Sequence, residues 1–260
     1  MIIDCNAFCG PYPFRQLRYH SVDAILGLMD RNGLDGAILQ SLTSVFYRDA
    51  HRGNEELYQA TRSHPTRFLT VCTLNPKYVG WEDDLKQAVE QWGMKAVALY
   101  PSHHGYQWND PFVADAIGKI VEYDLPLVLV QRLEDRRQRH AWDAAEDLDL
   151  RSVLDLATGN PRLRIFFCNW NSLDGTKLAN AGLRGRCLID FSRLQVLLNR
   201  DVFKLMDSLG VESIAFGSHL PFDYVGPSLV KLSILESMEP RDLEKIRSGN
   251  AISFFRWSRS

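Results

Sequence analysis

Short apolar runs alternate along the chain with longer stretches in which apolar residues recur every three or four positions. The first pattern marks strands and the second marks amphipathic helices. Strands are expected at residues 2–8, 35–42, 67–74, 94–100, 126–131, 163–169, 186–191 and 212–217. Helices are expected at 21–32, 54–64, 81–92, 111–123, 143–157, 172–181 and 199–209, with further helical segments between 226 and 255. Ser21 suits an N-cap, Val22, Ile25, Leu26 and Met29 fall on one helical face, and Gly33 can end that helix. Asn54 reads as the next N-cap, with Glu55 and Glu56 near the positive helix end. Pro111 is tolerated in a first turn. The run PLVLVQ has the uninterrupted apolar character of a parallel strand buried on both faces.

Eight strand–helix units in succession imply a parallel sheet. Their number fits a single (β/α)₈ TIM barrel over residues 1–260. Periodicity alone leaves an open doubly wound sheet as the alternative. The chain has neither GxGxxG nor GxxxxGK[ST], so a nucleotide site has no support. Residues 100–110, rich in Ser, His, Gly and Asn, are expected to form a surface loop.

Composition narrows the partners. A formal net charge of −2 leaves no basic excess to neutralise phosphates, which argues against nucleic acid and against an anionic membrane. No run approaches the ~20 apolar residues of a bilayer span. The opening MIIDCN lacks the parts of a signal peptide, so a cytoplasmic location is expected. Cys5, Cys72, Cys168 and Cys187 sit in or beside apolar runs and read as small buried hydrophobes, and Cys9 is expected in a loop. Without a CxxC pair, neither a zinc ribbon nor a redox motif is signalled.

Several patches occur in an order that resembles one family. They are IIDCNAF, NEELYQATRSHPTRF leading into LTVCTLNP, GMKAVALYP, DLPLVLVQ, GNPRLRIFFCNW, IAFGSHLPF and IRSGNAISFF. Together they resemble the amidohydrolase-related (amidohydrolase 2) family of TIM barrels, metal-dependent hydrolases and decarboxylases of small organic acids. The resemblance covers nearly the whole chain and also implies a homodimer. The departures fall on the metal site. The family's Asp-x-His-x-His is here Asp4-Cys5-Asn6-Ala7-Phe8. The histidines ending its fifth and sixth strands correspond to Gln131 and Asn169, and its Gly-Ser-Asp is Gly217-Ser218-His219.

Catalytic zinc takes at least three imidazole, thiolate or carboxylate ligands. Asn6, Gln131 and Asn169 offer neutral amides, Phe8 offers nothing, and His219 alone would bind weakly. The expectation is therefore no metal and no cofactor. Strand alternation puts Asn6 with Phe8, Leu129 with Gln131, and Phe167 with Asn169. Those faces are expected to meet at the C-terminal mouth, where this fold carries its active sites. Cys5 and Cys168 alternate with them and are expected to face the helices.

His219, Asn6, Gln131 and Asn169 are the candidate catalytic residues. His219 would be the acid/base, and the amides would stabilise charge developing on a carbonyl or carboxylate. Candidate substrate contacts are Phe8, Tyr100, His103, His104, Arg132 and Arg48, an Arg fork being suited to a carboxylate. The competing assignments are rim packing for Tyr100 and a solvated surface for the His and Arg residues. The run Arg132–His140 (RLEDRRQRH) is expected to be a solvated loop leading to a helix. Two functions stay open: a metal-independent hydrolase or lyase acting on a small, anionic organic acid, and a catalytically inactive pseudoenzyme that binds a ligand or partner. A third reading keeps a metal through His103 and His104.

Overall fold

The computed structural model describes residues 1–258. Eight strand positions close into a parallel barrel. They are β1 (Ile3–Cys9), β2 (Gly36–Ser41), a third strand interrupted at Val71 into β3 (Phe68–Thr70) and β4 (Cys72–Leu74), β5 (Val97–Leu99), β6 (Leu127–Val130), β7 (Ile165–Cys168), β8 (Cys187–Asp190) and β9 (Ile214–Ala215). The third strand changes partner at its interruption. Val71 N donates to Leu39 O on β2, and Cys72 N donates to Ala96 O beside β5. Closure of β9 on β1 is made by Cys5 N→Phe216 O (2.9 Å) and Phe8 N→Leu220 O (2.8 Å). The open-sheet alternative is thereby removed.

The helices between the strands are α1 (Val22–Arg31), α2 (Leu42–Phe46), α3 (Ala50–Thr61), α4 (Trp81–Glu90), α5 (Pro101–His104), α6 (Pro111–Glu122), α7 (Leu150–Gly159), α8 (Gly175–Asn180) and α9 (Asp201–Leu209). After β9 come α10 (Val225–Ile234), α11 (Pro240–Glu244) and α12 (Asn250–Phe255), the last two joined by a π-helical turn, Lys245–Gly249. No helix among the described residues is long and apolar enough to cross a membrane.

Two apolar layers follow from the alternation. Ala37, Leu39, Val97, Leu129, Phe167 and Ile189 face the helices, and Ile38, Ala98, Val128, Val130, Phe166 and Leu188 fill the barrel. Trp257 and Phe255 join the inner layer.

Ser21 caps α1 as expected, accepting from Ala24 N at 3.2 Å. The other expected cap is wrong: α3 begins at Ala50, and Asn54 lies buried within it. Its Oδ1 accepts from Ser44 Oγ and Thr73 N, and its Nδ2 donates to Thr73 O at 2.8 Å. A side chain that satisfies the main chain of the third strand is worth more inside the fold than at a helix end. Cys9 ends β1 and is buried rather than lying in a loop. Residues 100–110 begin with the short helix α5. The helix expected at 143–157 begins only at Leu150, leaving residues 131–149 as a long strap without regular secondary structure.

Candidate active site at the barrel mouth

Three departures from regular backbone aim the side chains here. A bulge in β1 between Asp4 and Ala7 puts two residues, Asn6 and Ala7, between inward-facing Cys5 and Phe8. Asn169 and His219 both take left-handed backbone conformations, φ 61° each. Strict alternation therefore fails at the positions where it was needed. Cys5 and Cys168 face the barrel interior, not the helices, while Leu129 and Phe167 face outward. Burial pushes both thiols well above the usual range, so neither is a poised nucleophile.

Asn6 and Asn169 meet across the mouth. Asn6 Nδ2 donates to Asn169 Oδ1 at 2.7 Å and lies 3.3 Å from Ser192 Oγ. Asn169 Nδ2 donates to Arg132 O. Asp190 accepts from Asn169 N (2.6 Å) and Ser192 N (2.8 Å), and Asp4 accepts from Asn6 N and Ser218 N. Ser218 Oγ is spent on Asp4. Burial, and secondarily the charge of Asp190, raise the Asp4 carboxyl to about 7 against hydrogen bonds that lower it. Two buried atoms of this cluster are left without hydrogen-bond partners, Asn6 Oδ1 and His219 Nε2.

His219 is 0% exposed. Phe222 stacks on its ring at 4.9 Å between centroids, and Phe8 meets it edge-on at 5.8 Å. Asp223 Oδ2 lies 2.9 Å from Nδ1 and Arg193 Nη2 lies 3.3 Å from the same atom. Arg193 also reaches Asp223 Oδ2 at 3.2 Å. Only one of the two neighbours can use Nδ1. Arg193 and the imidazole N–H hold Asp223 below the usual carboxylate value despite its burial. Nδ1 therefore carries the proton toward an ionised Asp223, and Nε2 keeps a free lone pair. Complete burial lowers the His219 pKa, against the pull of Asp223, so the ring is neutral.

Aromatic rings roof the cluster. Tyr12 contacts Phe14, Phe46 and Phe222, and Phe46 meets His103. Beside the roof opens a cleft of about 700 Å³, lined by Arg15, Arg18, Ser192, Arg193, Phe222 and Asp223 among others. Two loops are tied over it. Tyr12 Oη donates to Glu134 Oε2 at 3.1 Å, Arg15 Nε to Glu134 Oε1 at 2.5 Å, and Tyr12 Oη also lies 3.4 Å from Asp143. The Arg132–His140 segment is thus only partly a solvated loop, because Leu133 and Glu134 are buried.

The remaining expected residues lie apart from the amide cluster. Tyr100 Oη donates to Gln40 Oε1 at 2.8 Å, deep in the barrel. Gln131 Oε1 accepts from Asn171 N rather than joining Asn6 and Asn169. Arg132 pairs with Asp147 at 2.6 Å. His103 and His104 are largely enclosed, so neither is a solvated loop residue. His104 Nε2 is 3.2 Å from Ser44 O. Arg48 is exposed, and only its main-chain oxygen is engaged, by Asn75. Sequence reading missed Asp190, Ser192, Arg193, Asp223 and Glu134. An i,i+4 spacing from His219 to Asp223 was the one available signal among them. Among the described residues no group of three or more His, Cys, Asp or Glu is placed to hold a metal ion.

Burial also sets a titration. It depresses His103 to about 4. The unfolded ring takes its proton near 6.5, so the stability His103 contributes is complete above that pH and lost as pH falls toward 4. Ring-resolved NMR is expected to show His103 titrating near pH 4 and His219 still neutral at 6.5. Ordinary midpoints would mean that water reaches both rings.

No family model matches the sequence, and no curated protein sequence matches it. Solved structures do. A 2,6-dihydroxybenzoate decarboxylase bound to 2,6-dihydroxybenzoate superposes with a TM-score of 0.72 at 16% identity, over 98% of this chain and 99% of that one. 5-Carboxyvanillate decarboxylase from Sphingomonas paucimobilis gives 0.71 at 17% identity, over 99% of each chain. A dihydroxybenzoic acid decarboxylase from Polaromonas sp. JS666, with manganese and the inhibitor 2-nitroresorcinol, gives 0.72 at 16%, over 98% and 96%. The chain has their barrel fold, as the resemblance to the amidohydrolase-related family implied.

Proposed function

We propose that this barrel acts on a small, anionic organic acid at its C-terminal mouth, by hydrolase- or lyase-type chemistry that uses no metal. The observation that carries this reading is the Asp223–His219 pair beside a cleft lined by Arg15, Arg18 and Arg193. An ionised carboxylate that fixes the imidazole tautomer leaves Nε2 as a base. Phe222 stacks over the ring and lines the cleft, so its displacement exposes Nε2, which then takes a proton from a substrate or water, and the pair can return it to the product. Asn169 Nδ2 gives one of its two N–H groups to Arg132 O and keeps the other to meet negative charge on a reacting carboxylate or carbonyl. The guanidinium groups at the cleft draw the acid in. Decarboxylases of aromatic acids among the structural neighbours supply the substrate class by analogy.

The residues at the mouth do not fit a divalent cation. Asn169 Oδ1 is taken by Asn6 Nδ2 and the carboxylate of Asp190 by main-chain N–H groups, which leaves two neutral acceptors, Asn6 Oδ1 and His219 Nε2. Asp4 is half protonated near neutral pH. Such a set offers too little charge to replace the hydration of a cation.

Titration calorimetry with benzoate, hydroxybenzoates and short aliphatic acids, in buffer containing chelator, tests this. Binding is expected without metal, weakened at least about tenfold in Arg193→Ala, the loss of one charged contact. For any acid that also turns over, His219→Ala is expected to stop product formation. No acid binding, or binding only after metal is added, overturns the reading. The burial of His219 beneath Phe222 and Phe8 favours one second reading, a pseudoenzyme that binds an acid without chemistry. Binding with no product from any acid selects it.

A further inference from the structure

On the other side of the strap, between the ends of β5 and β6, lies a small cavity of about 20 Å³. Its wall includes Tyr100, His103, Gln131, Arg132, Arg139 and Asp143. Three wall residues carry a buried nitrogen without a hydrogen-bond partner: His103 Nε2, Arg132 Nε and Arg139 Nε. Guanidinium nitrogens only donate. Among the described residues no buried side-chain oxygen of the wall is left without a partner, and the carboxylate of Glu146, also in the wall, is exposed. The unmet demand is therefore for an acceptor.

The rest of each guanidinium is committed. Arg132 Nη2 pairs with Asp147 at 2.6 Å, and Arg139 gives Nη1 to Ala145 O and Nη2 to Asp147 Oδ1. The Asp143 carboxylate is engaged with Tyr12 Oη and Ala145 N, and it stays 3.9 Å from Arg139 Nε, beyond hydrogen-bond reach. An unmet buried donor costs roughly 1–3 kcal/mol. A water molecule accepts two bonds and must then place two hydrogens of its own. An anion accepts from both guanidinium groups without donating, and from His103 in the tautomer whose Nε2 carries the proton.

We propose that this cavity binds one small anionic group, a halide or the carboxylate end of an organic acid, held by the Nε–H groups of Arg132 and Arg139 and by His103 Nε2. It is a site separate from the Asp223–His219 cleft and stands without the function proposed above. A guanidinium Nε–H suits a carboxylate or a spherical anion.

Crystals soaked in bromide provide the direct test. An anomalous peak is expected between the three nitrogens, and water alone at that position overturns the proposal. In solution, bromide and formate are expected to raise the melting temperature by about 5 °C at a hundredfold excess over the dissociation constant. Methanesulfonate, which has no carboxylate and a bulkier head, is expected not to at the same ionic strength. An equal response to all three salts also overturns it. Arg132→Gln is expected to lose the response, because Asp147 keeps Arg136 and Arg139 as partners. If that variant does not fold, the crystal decides. Benzoate that displaces bromide from the peak marks the cavity as the seat of an organic carboxylate. Bromide that persists marks it as a site for free anions.

Discussion

Gly217→Ala is expected to lower the melting temperature by about 10 °C and to loosen the mouth. A Cβ at this position would lie 2.8 Å from Asp190 Cβ, 2.9 Å from Asp190 Oδ1 and 3.1 Å from Asn6 Cβ. None of these is the far end of a flexible side chain. Overpacking of this kind costs about 1–3 kcal/mol. Relief requires Asp190 to move, and Asp190 holds the main-chain N–H groups of Asn169 and Ser192. Each buried N–H left unpaired adds roughly 1–3 kcal/mol. A total near 4 kcal/mol converts to about 10 °C for a chain of this size. Thermal unfolding followed by circular dichroism measures it, and a shift below about 2 °C would show that the three strand ends are not so closely packed.

Asp4→Asn is expected to change the pH dependence of stability. The folded carboxyl titrates at about 7 instead of 3.8. Between those values the native state holds a proton that the unfolded chain has released, so stability falls as pH rises. The contribution is complete below about pH 4 and lost by about pH 7. Its span is of order 4 kcal/mol at 1.36 kcal/mol per unit. Asparagine has the shape to keep its oxygen toward Asn6 N and Ser218 N, and its amide can donate to Ser218 Oγ. The variant is expected to match the native protein below about pH 4 and to exceed it at pH 8, in urea unfolding at each pH. Equal stability of the two proteins at both values would mean that Asp4 is charged in the fold.

The strand–helix alternation was legible because each strand position is an apolar run and most helices carry a one-sided apolar face. What alternation could not convey was side-chain direction at the mouth. One extra residue in β1 and the left-handed Asn169 account for the reversed parity of Cys5, Cys168 and Phe167, and Leu129 on β6 also faces outward. Neither a bulge nor a positive φ at Asn or His is marked by composition. Asn54 looked like a cap because cap propensity is local, whereas its partner Thr73 lies 19 residues away. The strap was read as charged and solvated because its sequence is charged. Its buried acid, Glu134, pairs with Tyr12 and Arg15, 122 and 119 residues earlier. The positions that the resemblance assigns to a metal site could be named from the sequence, but the residues surrounding them could not.

The closure of β9 on β1 also bears on how the chain is made. The free edge of β1 is covered only by residues 216–220. During vectorial synthesis at ~5–20 residues per second, that edge waits roughly 10–40 s for its second neighbour. Until then β1 and β2 present an unpaired, apolar strand margin, the kind of surface that recruits other chains. Slower elongation after residue 41 lengthens that exposure, and a chaperone that shields the nascent N-terminal third would act within this interval.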